Sequence, residues 1–198
     1  MNSDATVVAG PRLRTERLLM RRWTQTDREP FAWLNADPEV ARYLSGPMSR
    51  ADSDVLADRI EAGFIANGFG LWAIEVAATA EFIGFTGLSR PRFEAHFMPA
   101  VEVGWRLARP AWGHGYATEA ARAALDYGFG PAGLDEIVSF TTRANVRSRA
   151  VMDRLGMTHD QADDFDHPGL TDGNPLRPHV LYRLTRERWR RRPTVWST

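Results

Sequence analysis

The amino-acid sequence predicts an α/β protein of the α+β type, in which helices flank a mixed, mostly antiparallel sheet. Three observations predict this class. Segments 71–76 and 82–88 have strand patterns joined by a turn of small residues, which favours an antiparallel hairpin. From Val101 to Leu184 the patterns follow one another as strand, helix, strand, helix and strand. No repeat or linker divides the 198 residues, so we expect one domain.

The first half of the chain adds one strand and two helices to that hairpin. Segment 18–23 has the pattern of a strand, and a short helix is predicted over 26–35. A longer helix should begin after Ser49, with Asp52 completing a capping box, and should end near Gly68. The apolar face predicted for it contains Val55, Leu56, Ile60 and Phe64.

The second half contains the strand, helix and strand series. A strand is predicted at 101–107 and the next at 137–142, with a last strand at 180–184. The helix between the first two should lie close against the sheet, because small residues line one of its sides: Ala117, Ala120, Ala121, Ala124 and Gly128. Asn145 is suited to begin a shorter helix over 146–155.

Composition excludes several kinds of chemistry. Acidic and basic residues are equal at 25 each, so no net charge draws the chain to nucleic acid or anionic lipid. The absence of cysteine excludes disulfides and an acyl-cysteine, and the absence of lysine excludes a Schiff base and a P-loop lysine. No apolar run could span a bilayer and no signal pattern opens the chain, so a cytoplasmic protein without DNA or membrane partners is expected.

The most informative stretch is 100–118. A β-branched run that holds Glu102 leads through a turn to Gly113 and Gly115, after which a helix begins. Unpaired N–H groups at a helix start favour an anion, and glycines let a phosphate approach the main chain. A phosphorylated cofactor is therefore predicted here. A dinucleotide fingerprint fits less well, because it needs a third glycine and a parallel sheet.

Two motifs resemble those of one known family. Trp112-Gly113-His114-Gly115-Tyr116-Ala117-Thr118-Glu119-Ala120 resembles the pyrophosphate loop of the GNAT acyl-CoA N-acyltransferases, and Asn145-x-x-Ser148 leading to Leu155-Gly156-Met157 resembles their next motif. Both look most like the RimJ/RimL-type branch, which acetylates protein N-termini, and Thr15-Glu16-Arg17-Leu18 is similar to that branch as well. The resemblance implies a GNAT fold with its sheet splayed open at the acetyl-CoA site.

The resemblance also implies the chemistry. The acetyl group would pass directly from acetyl-CoA to an amine, with Glu102 as general base through water and Ser148 as the acid for the leaving thiolate. An α-amine, with an ordinary pKa of about 8, would lose its proton to a general base more easily than a lysine amine, whose ordinary pKa is about 10.4. The residues implied in cofactor binding are Trp105, Arg106, Leu107, Trp112, Gly113, His114, Gly115, Tyr116, Ala117, Thr118 and Asn145, and no metal is implied.

Some alternatives stay open at this point. The acceptor is either a protein N-terminus or a small amine, and a fold relative that binds acyl-CoA without catalysis is the rival of another class. Glu102 could be an ordinary half-exposed strand residue, and Asn145 could simply cap its helix. A homodimer is expected by analogy with relatives.

Three segments remain outside the motifs. The expected domain covers 15–185, between a flexible segment 1–14 and a basic tail at 186–198. Segment 158–178 is predicted to be an acidic, solvated loop. Its histidines and aspartates, with one histidine just beyond it, match no metal-site spacing: His159, His167, His179, Asp160, Asp163, Asp164 and Asp166.

Overall fold

The computed structural model describes residues 11–192 of the chain. Its strands are β1 (Leu13–Arg14), β2 (Leu18–Arg21), β3 (Leu71–Val76), β4 (Glu81–Ser89), β5 (Glu102–Leu107), β6 (Glu136–Thr142), β7 (Thr158–His159), β8 (Phe165–Asp166) and β9 (Pro178–Thr185). Its helices are α1 (Arg28–Ala36), α2 (Pro38–Ala41), α3 (Arg50–Asn67), α4 (Tyr116–Phe129), α5 (Val146–Arg154) and α6 (Arg186–Arg190).

The strands form one open sheet in the order β1-β2-β3-β4-β5-β6-β9-β7, with β8 also beside β9. The pair β5 and β6 is parallel, and the other described pairs are antiparallel. The predicted α+β class with a mixed, mostly antiparallel sheet is confirmed. Small side chains let α4 lie close on the sheet, since a Cβ at Gly128 would come within 2.6 Å of the Ile137 side chain.

Most predicted elements are present, with one error in a helix face. Ser49 caps α3 by accepting from the Asp52 N–H, and Gly68 ends it with φ at +73°, as expected. The face predicted to hold Val55 was wrong, because Val55 is 55% exposed. The buried stripe follows helical spacing through different residues, namely Ser53, Ala57, Ile60 and Phe64.

The ends of the described chain belong to the folded unit. Leu13–Arg14 already pairs with β2, and Trp189 of α6 is buried and donates its indole N–H to Asp126 at 2.8 Å. Residues 1–10 of the predicted flexible segment and 193–198 of the basic tail lie outside the described residues. The acidic segment 158–178 is less irregular than predicted, since β7 and β8 attach it to β9. No helix in residues 11–192 is long and apolar enough to cross a membrane.

Helix α1 is fixed to the sheet through Arg21. The Arg21 guanidinium donates to Asp27 at 2.7 and 2.8 Å and to Glu75 at 2.5 Å. Burial alone would raise the pKa of Asp27, but the hydrogen bonds from Arg21 and from Thr24 hold it below its usual range. This anchor sets the start of α1, and the other end of the helix carries Asn35 toward β5.

Strand β4 approaches β5 so closely at Gly84 that only glycine fits. Gly84 has φ at +132°, and a Cβ there would lie 2.2 Å from the main-chain oxygen of Arg106. A side chain at this position would push apart the strands that carry the candidate site.

Replacing Gly84 with alanine is therefore expected to lower the free energy of unfolding by about 2–5 kcal/mol, because backbone strain and overpacking add. At this chain length each kcal/mol lowers the melting temperature by about 2–4 °C. Gly63→Ala is the matched control, because a Cβ at Gly63 on α3 would have nothing within 4 Å and alanine favours a helix. Thermal unfolding measures both, and equal melting temperatures for the two variants would contradict the prediction.

Candidate active site

The site begins where β5 and β6 separate. A single bridge, Glu102 with Val138, joins the two strands among the described residues, and the Val138 N–H donates to the Val101 carbonyl at 2.9 Å. Main-chain groups alternate along a strand, so those of Trp105 also point to the β6 side, where no strand pairs with them. The predicted splay of the sheet is present.

The same alternation divides the three strand residues predicted to bind the cofactor. The Ala108 N–H donates to Ile83 of the β4 segment, so the main-chain groups of Arg106 face β4 as well. The N–H groups of Trp105 and Leu107 face the gap and can meet a ligand. Arg106 could reach a cofactor there only through its side chain, and that lies on the opposite side of the sheet from α4, against Asn35.

Helix α4 begins with a glycine turn beside this gap. Gly113 and Gly115 have φ at +82° and +80°, and Gly115 is the N-cap residue with no side-chain cap. The Glu119 N–H is the first to bond within the helix, to Gly115, so the N–H groups of Tyr116, Ala117 and Thr118 precede the ladder. A Cβ at Gly113 would meet nothing within 4 Å, which leaves space at the main chain. These residues fit a diphosphate.

The turn is fixed by the short segment between β1 and β2. Glu119 accepts from the Thr15 hydroxyl at 2.6 Å and from the Arg17 guanidinium at 2.7 Å, and Arg17 also donates to the His114 carbonyl at 3.0 Å. Burial works against the charged carboxylate, but these hydrogen bonds hold the pKa of Glu119 below its usual range. The segment 15–18 thus has a physical role that the sequence pattern alone did not show.

The side chains of the turn do not point at one ligand. The Trp112 indole donates to the Leu107 carbonyl at 2.8 Å, which ties the turn to the end of β5, and the Arg147 guanidinium lies 4.6 Å above its ring. The His114 side chain is exposed and stacks on Tyr116. Main-chain groups are therefore the donors that this turn offers.

Glu102 lies on the face of β5 opposite the buried Val103, as alternation predicted. Its carboxylate leans along the strand, since Oε1 would be 3.5 Å from a Cβ at Gly104. It has no hydrogen bond or ion pair within residues 11–192. Burial raises the pKa of Glu102 to about 8, although the side chain keeps a solvent-accessible part. The carboxylate is therefore set deep in the fold yet reachable by water.

Asn145 and Ser148 are joined at the start of α5. The Asn145 side chain accepts from the Ser148 N–H at 3.2 Å and donates to the hydroxyls of Ser148 at 3.1 Å and Thr141 at 3.0 Å. Both amide hydrogens of Asn145 are used, so a further ligand could meet only its oxygen. Because the Ser148 hydroxyl accepts from Asn145, its own hydrogen is free to be donated elsewhere.

Ser148→Ala is expected to lower kcat by about 10-fold, because general-acid help to a thiolate is weaker than base help to an amine. The cap survives, since it uses the Ser148 N–H, so the melting temperature should stay within about 1 °C. Ser148→Thr keeps a hydroxyl and serves as the matched control. Steady-state kinetics at saturating acetyl-CoA measures the effect, and an unchanged kcat would leave Ser148 a positioning residue.

The acidic segment forms no metal centre in the part of the chain described. No group of three or more His, Asp or Glu side chains there is arranged to hold a metal ion. His159 pairs with Asp164 at 2.7 Å, while His167 and His179 lie in an aromatic cluster that sequence analysis missed. That cluster is formed with Phe93, Phe97, Phe140 and Phe165. The phenylalanine rings of the cluster pack on Val138, the bridge partner of Glu102, so the cluster lies beside Glu102.

An open sheet with a glycine turn at the α4 start and an unpaired β5 edge is the arrangement of an acyl-CoA-dependent transferase. The acetyltransferase (GNAT) domain family model matches residues 17–158. The chain belongs to the GNAT acetyltransferase family, whose members use acetyl-CoA.

Relatives and solved structures agree with this assignment. The chain is 32% identical over 197 residues to FsC-acetyl coenzyme A-N(2)-transacetylase of Aspergillus fumigatus, covering 94% of this chain and 81% of that protein. An acetyltransferase structure from Agrobacterium tumefaciens matches with a TM-score of 0.71 at 30% identity, covering 88% and 94%. Spermidine N-acetyltransferase from Vibrio cholerae, solved with CoA and spermine, has a TM-score of 0.69 at 17% identity, covering 88% and 99%, and shares the fold.

Proposed function

We propose that this chain transfers the acetyl group of acetyl-CoA directly to the nitrogen of an amine, with Glu102 as general base. The observation that supports it best is the Glu102 carboxylate, which lies without a protein partner in residues 11–192 beside the point where β5 and β6 separate. A deep carboxylate that has a raised pKa and stays reachable by water is typical of a group that accepts a proton during a reaction.

Each residue of the candidate site has a separate role in the proposed reaction. Acetyl-CoA supplies an acetyl thioester whose carbonyl carbon is attacked by the amine, so a C–N bond forms and a C–S bond breaks. Glu102 takes the proton that the amine nitrogen loses, through water. Ser148 supplies a proton to the sulfur, and its oxygen is supported by Asn145. The N–H of Trp105 offers a donor to the thioester oxygen, and the start of α4 holds the diphosphate.

The acceptor that we propose first is an α-amine, as on a protein or peptide N-terminus. The pKa of Glu102, about 8, is close to the ordinary value of an α-amine, so proton transfer between them is nearly balanced. The likeness of 15–18 to the RimJ/RimL-type branch supports the same acceptor. A small-molecule amine is the second candidate, supported by the relative that is named for transfer to N(2) of FsC.

An acceptor screen that follows CoA release tests the proposal. The panel contains peptides with free and acetylated N-termini, amino acids and polyamines, with acetyl-CoA saturating and thiol detected continuously. We expect release with free α-amines and none with blocked peptides. Tight acetyl-CoA binding without release for any amine would contradict the proposal and support a non-catalytic acyl-CoA sensor.

A further inference from the structure

Arg106 presents a guanidinium on the same face of β5 as Glu102. Alternation places Glu102, Gly104 and Arg106 on this face, which α1 covers. The Arg106 Nη1 donates to Asn35 Oδ1 at 2.6 Å and approaches Met48 Sδ at 3.8 Å, and the Phe85 ring lies 5.5 Å away. Burial lowers the pKa of Arg106 to about 10, yet the residue keeps a solvent-accessible part. Like Glu102, it is therefore recessed on this face yet reachable by water.

No carboxylate pairs with Arg106 within the described part of the chain, and this sets it apart from other recessed arginines. Arg21 pairs with two carboxylates, and Arg22 and Arg183 also have acidic partners. A recessed cation without an opposite charge is unfavourable, because it gives up water without a matching anion. Its Nε and Nη2 donors have no partner among residues 11–192, so three of its five N–H bonds remain to be used.

The guanidinium is nevertheless held in a fixed place. Asn35, which accepts from it, is 2% exposed and donates in turn to the fully buried Ser53 hydroxyl at 2.9 Å. Two buried polar side chains from α1 and α3 thus orient one nitrogen of Arg106. Such support is typical of a side chain that is positioned for a ligand.

We propose that Arg106 binds a carboxylate of the acceptor and so selects amines that carry one. A guanidinium fork matches the two oxygens of a carboxylate better than those of other common acceptors in amines and alcohols. This inference rests on the proposed function, because it takes Glu102 as the position of the reacting amine.

The spacing along β5 narrows the class of acceptor. Four strand positions separate Glu102 from Arg106, which is about 13 Å between Cα atoms. The Glu102 carboxylate leans toward Gly104 and shortens this distance. The amine and the carboxylate of the acceptor are then several bonds apart, as in a short peptide, and farther apart than in a free α-amino acid.

The test compares di- and tripeptides that have a free C-terminal carboxylate with the same peptides as C-terminal amides. For the wild type we expect kcat/KM to be about 10-fold or more higher for the acids. Arg106→Gln should lower kcat/KM for the acids by about 10- to 100-fold, mostly through KM, and that for the amides by less than about 3-fold. Arg106→Lys keeps the charge and should retain part of the preference. Arg59→Gln, an exposed arginine on α3, is the matched control for the loss of charge.

Several outcomes separate this inference from the proposed function. Equal rates for wild-type acids and amides, or an equal loss on both in Arg106→Gln, would overturn the role of Arg106 while amine acetylation stands. If no peptide is acetylated, calorimetric titration of the acid and amide tripeptides into the CoA-saturated protein decides instead. Preferential binding of the acid that disappears in Arg106→Gln and persists in part in Arg106→Lys supports the inference, and equal binding overturns it. Melting temperatures and acetyl-CoA Kd values verify that each variant is folded.

Discussion

Replacing Glu102 with glutamine is expected to lower kcat for amine acetylation by about 10²- to 10⁴-fold, the range for the loss of a general base. Glutamine has nearly the same shape but cannot accept the proton of the amine. In the proposed arrangement acetyl-CoA is bound by main-chain groups of α4 and of the β5 edge, so the Kd for acetyl-CoA should change by less than about 2-fold. Steady-state kinetics with the best acceptor and calorimetric titration of acetyl-CoA measure the two quantities.

The pH dependence of the wild type gives an independent signature of Glu102. Burial raises its pKa to about 8, so the basic form is lost as the pH falls below that value. We expect kcat/KM to decrease about 10-fold per pH unit well below pH 8, when the amine's own ionisation is corrected for. In Glu102→Gln this decrease of kcat/KM at low pH should vanish. A Glu102→Gln variant that keeps full turnover, or a wild-type pH profile without this decrease, would remove Glu102 from the reaction.

The raised pKa of Glu102 also has a consequence for stability. Its folded pKa lies above the ordinary value of 4.5, so the folded state is penalised increasingly as the pH rises from 4.5 through about 8. Glu102→Gln is therefore expected to raise the melting temperature at pH 8 relative to the wild type. A loss of activity together with a gain in stability would separate a chemical role from a structural one.

Local patterns were sufficient for the parts of the site that depend on local geometry. The period of two along β5 placed Glu102 opposite Val103, and the glycines predicted the turn before α4. The Ser49 cap and the Gly68 stop were likewise predictable, because each acts within a few residues. The separation of β5 from β6 was expected only from the family resemblance, since it depends on partners distant in the chain.

Tertiary contacts account for what sequence patterns missed. Val55 has the right spacing for a buried helix face, but α3 turns a neighbouring stripe to the core. Arg106 was grouped with the cofactor residues by its position in the strand before the glycine turn, whereas its main chain pairs toward β4 and its side chain meets α1. The alternation of side chains along β5, counted from Glu102, could have predicted that the Arg106 side chain lies on the same face as Glu102. Nothing local predicts that Phe93, from the loop before β5, and Phe165 of β8 share one aromatic cluster.

Adding a methyl group to the turn before α4 should weaken acetyl-CoA binding strongly. Gly113→Ala and Gly115→Ala are each expected to raise the Kd for acetyl-CoA by about 30- to 100-fold, which corresponds to losing one hydrogen bond to a charged group. A Cβ at Gly113 has nothing within 4 Å, and one at Gly115 makes only an ordinary 3.5 Å contact with Arg17. A clash inside the protein therefore cannot explain such a loss.

Backbone strain is the competing explanation, and the chain offers a control for it. Gly68 has φ at +73° and open space around its missing Cβ, like Gly113, but it lies at the far end of α3. Gly68→Ala should lower the free energy of unfolding by about 1–2 kcal/mol, as should Gly113→Ala, because both force a side chain into the left-handed region. Only the Gly113 variant should also lose acetyl-CoA affinity in calorimetric titration. If the Kd stays at the wild-type value in both turn variants, the diphosphate does not lie at the start of α4, and the active site must be sought elsewhere on the sheet.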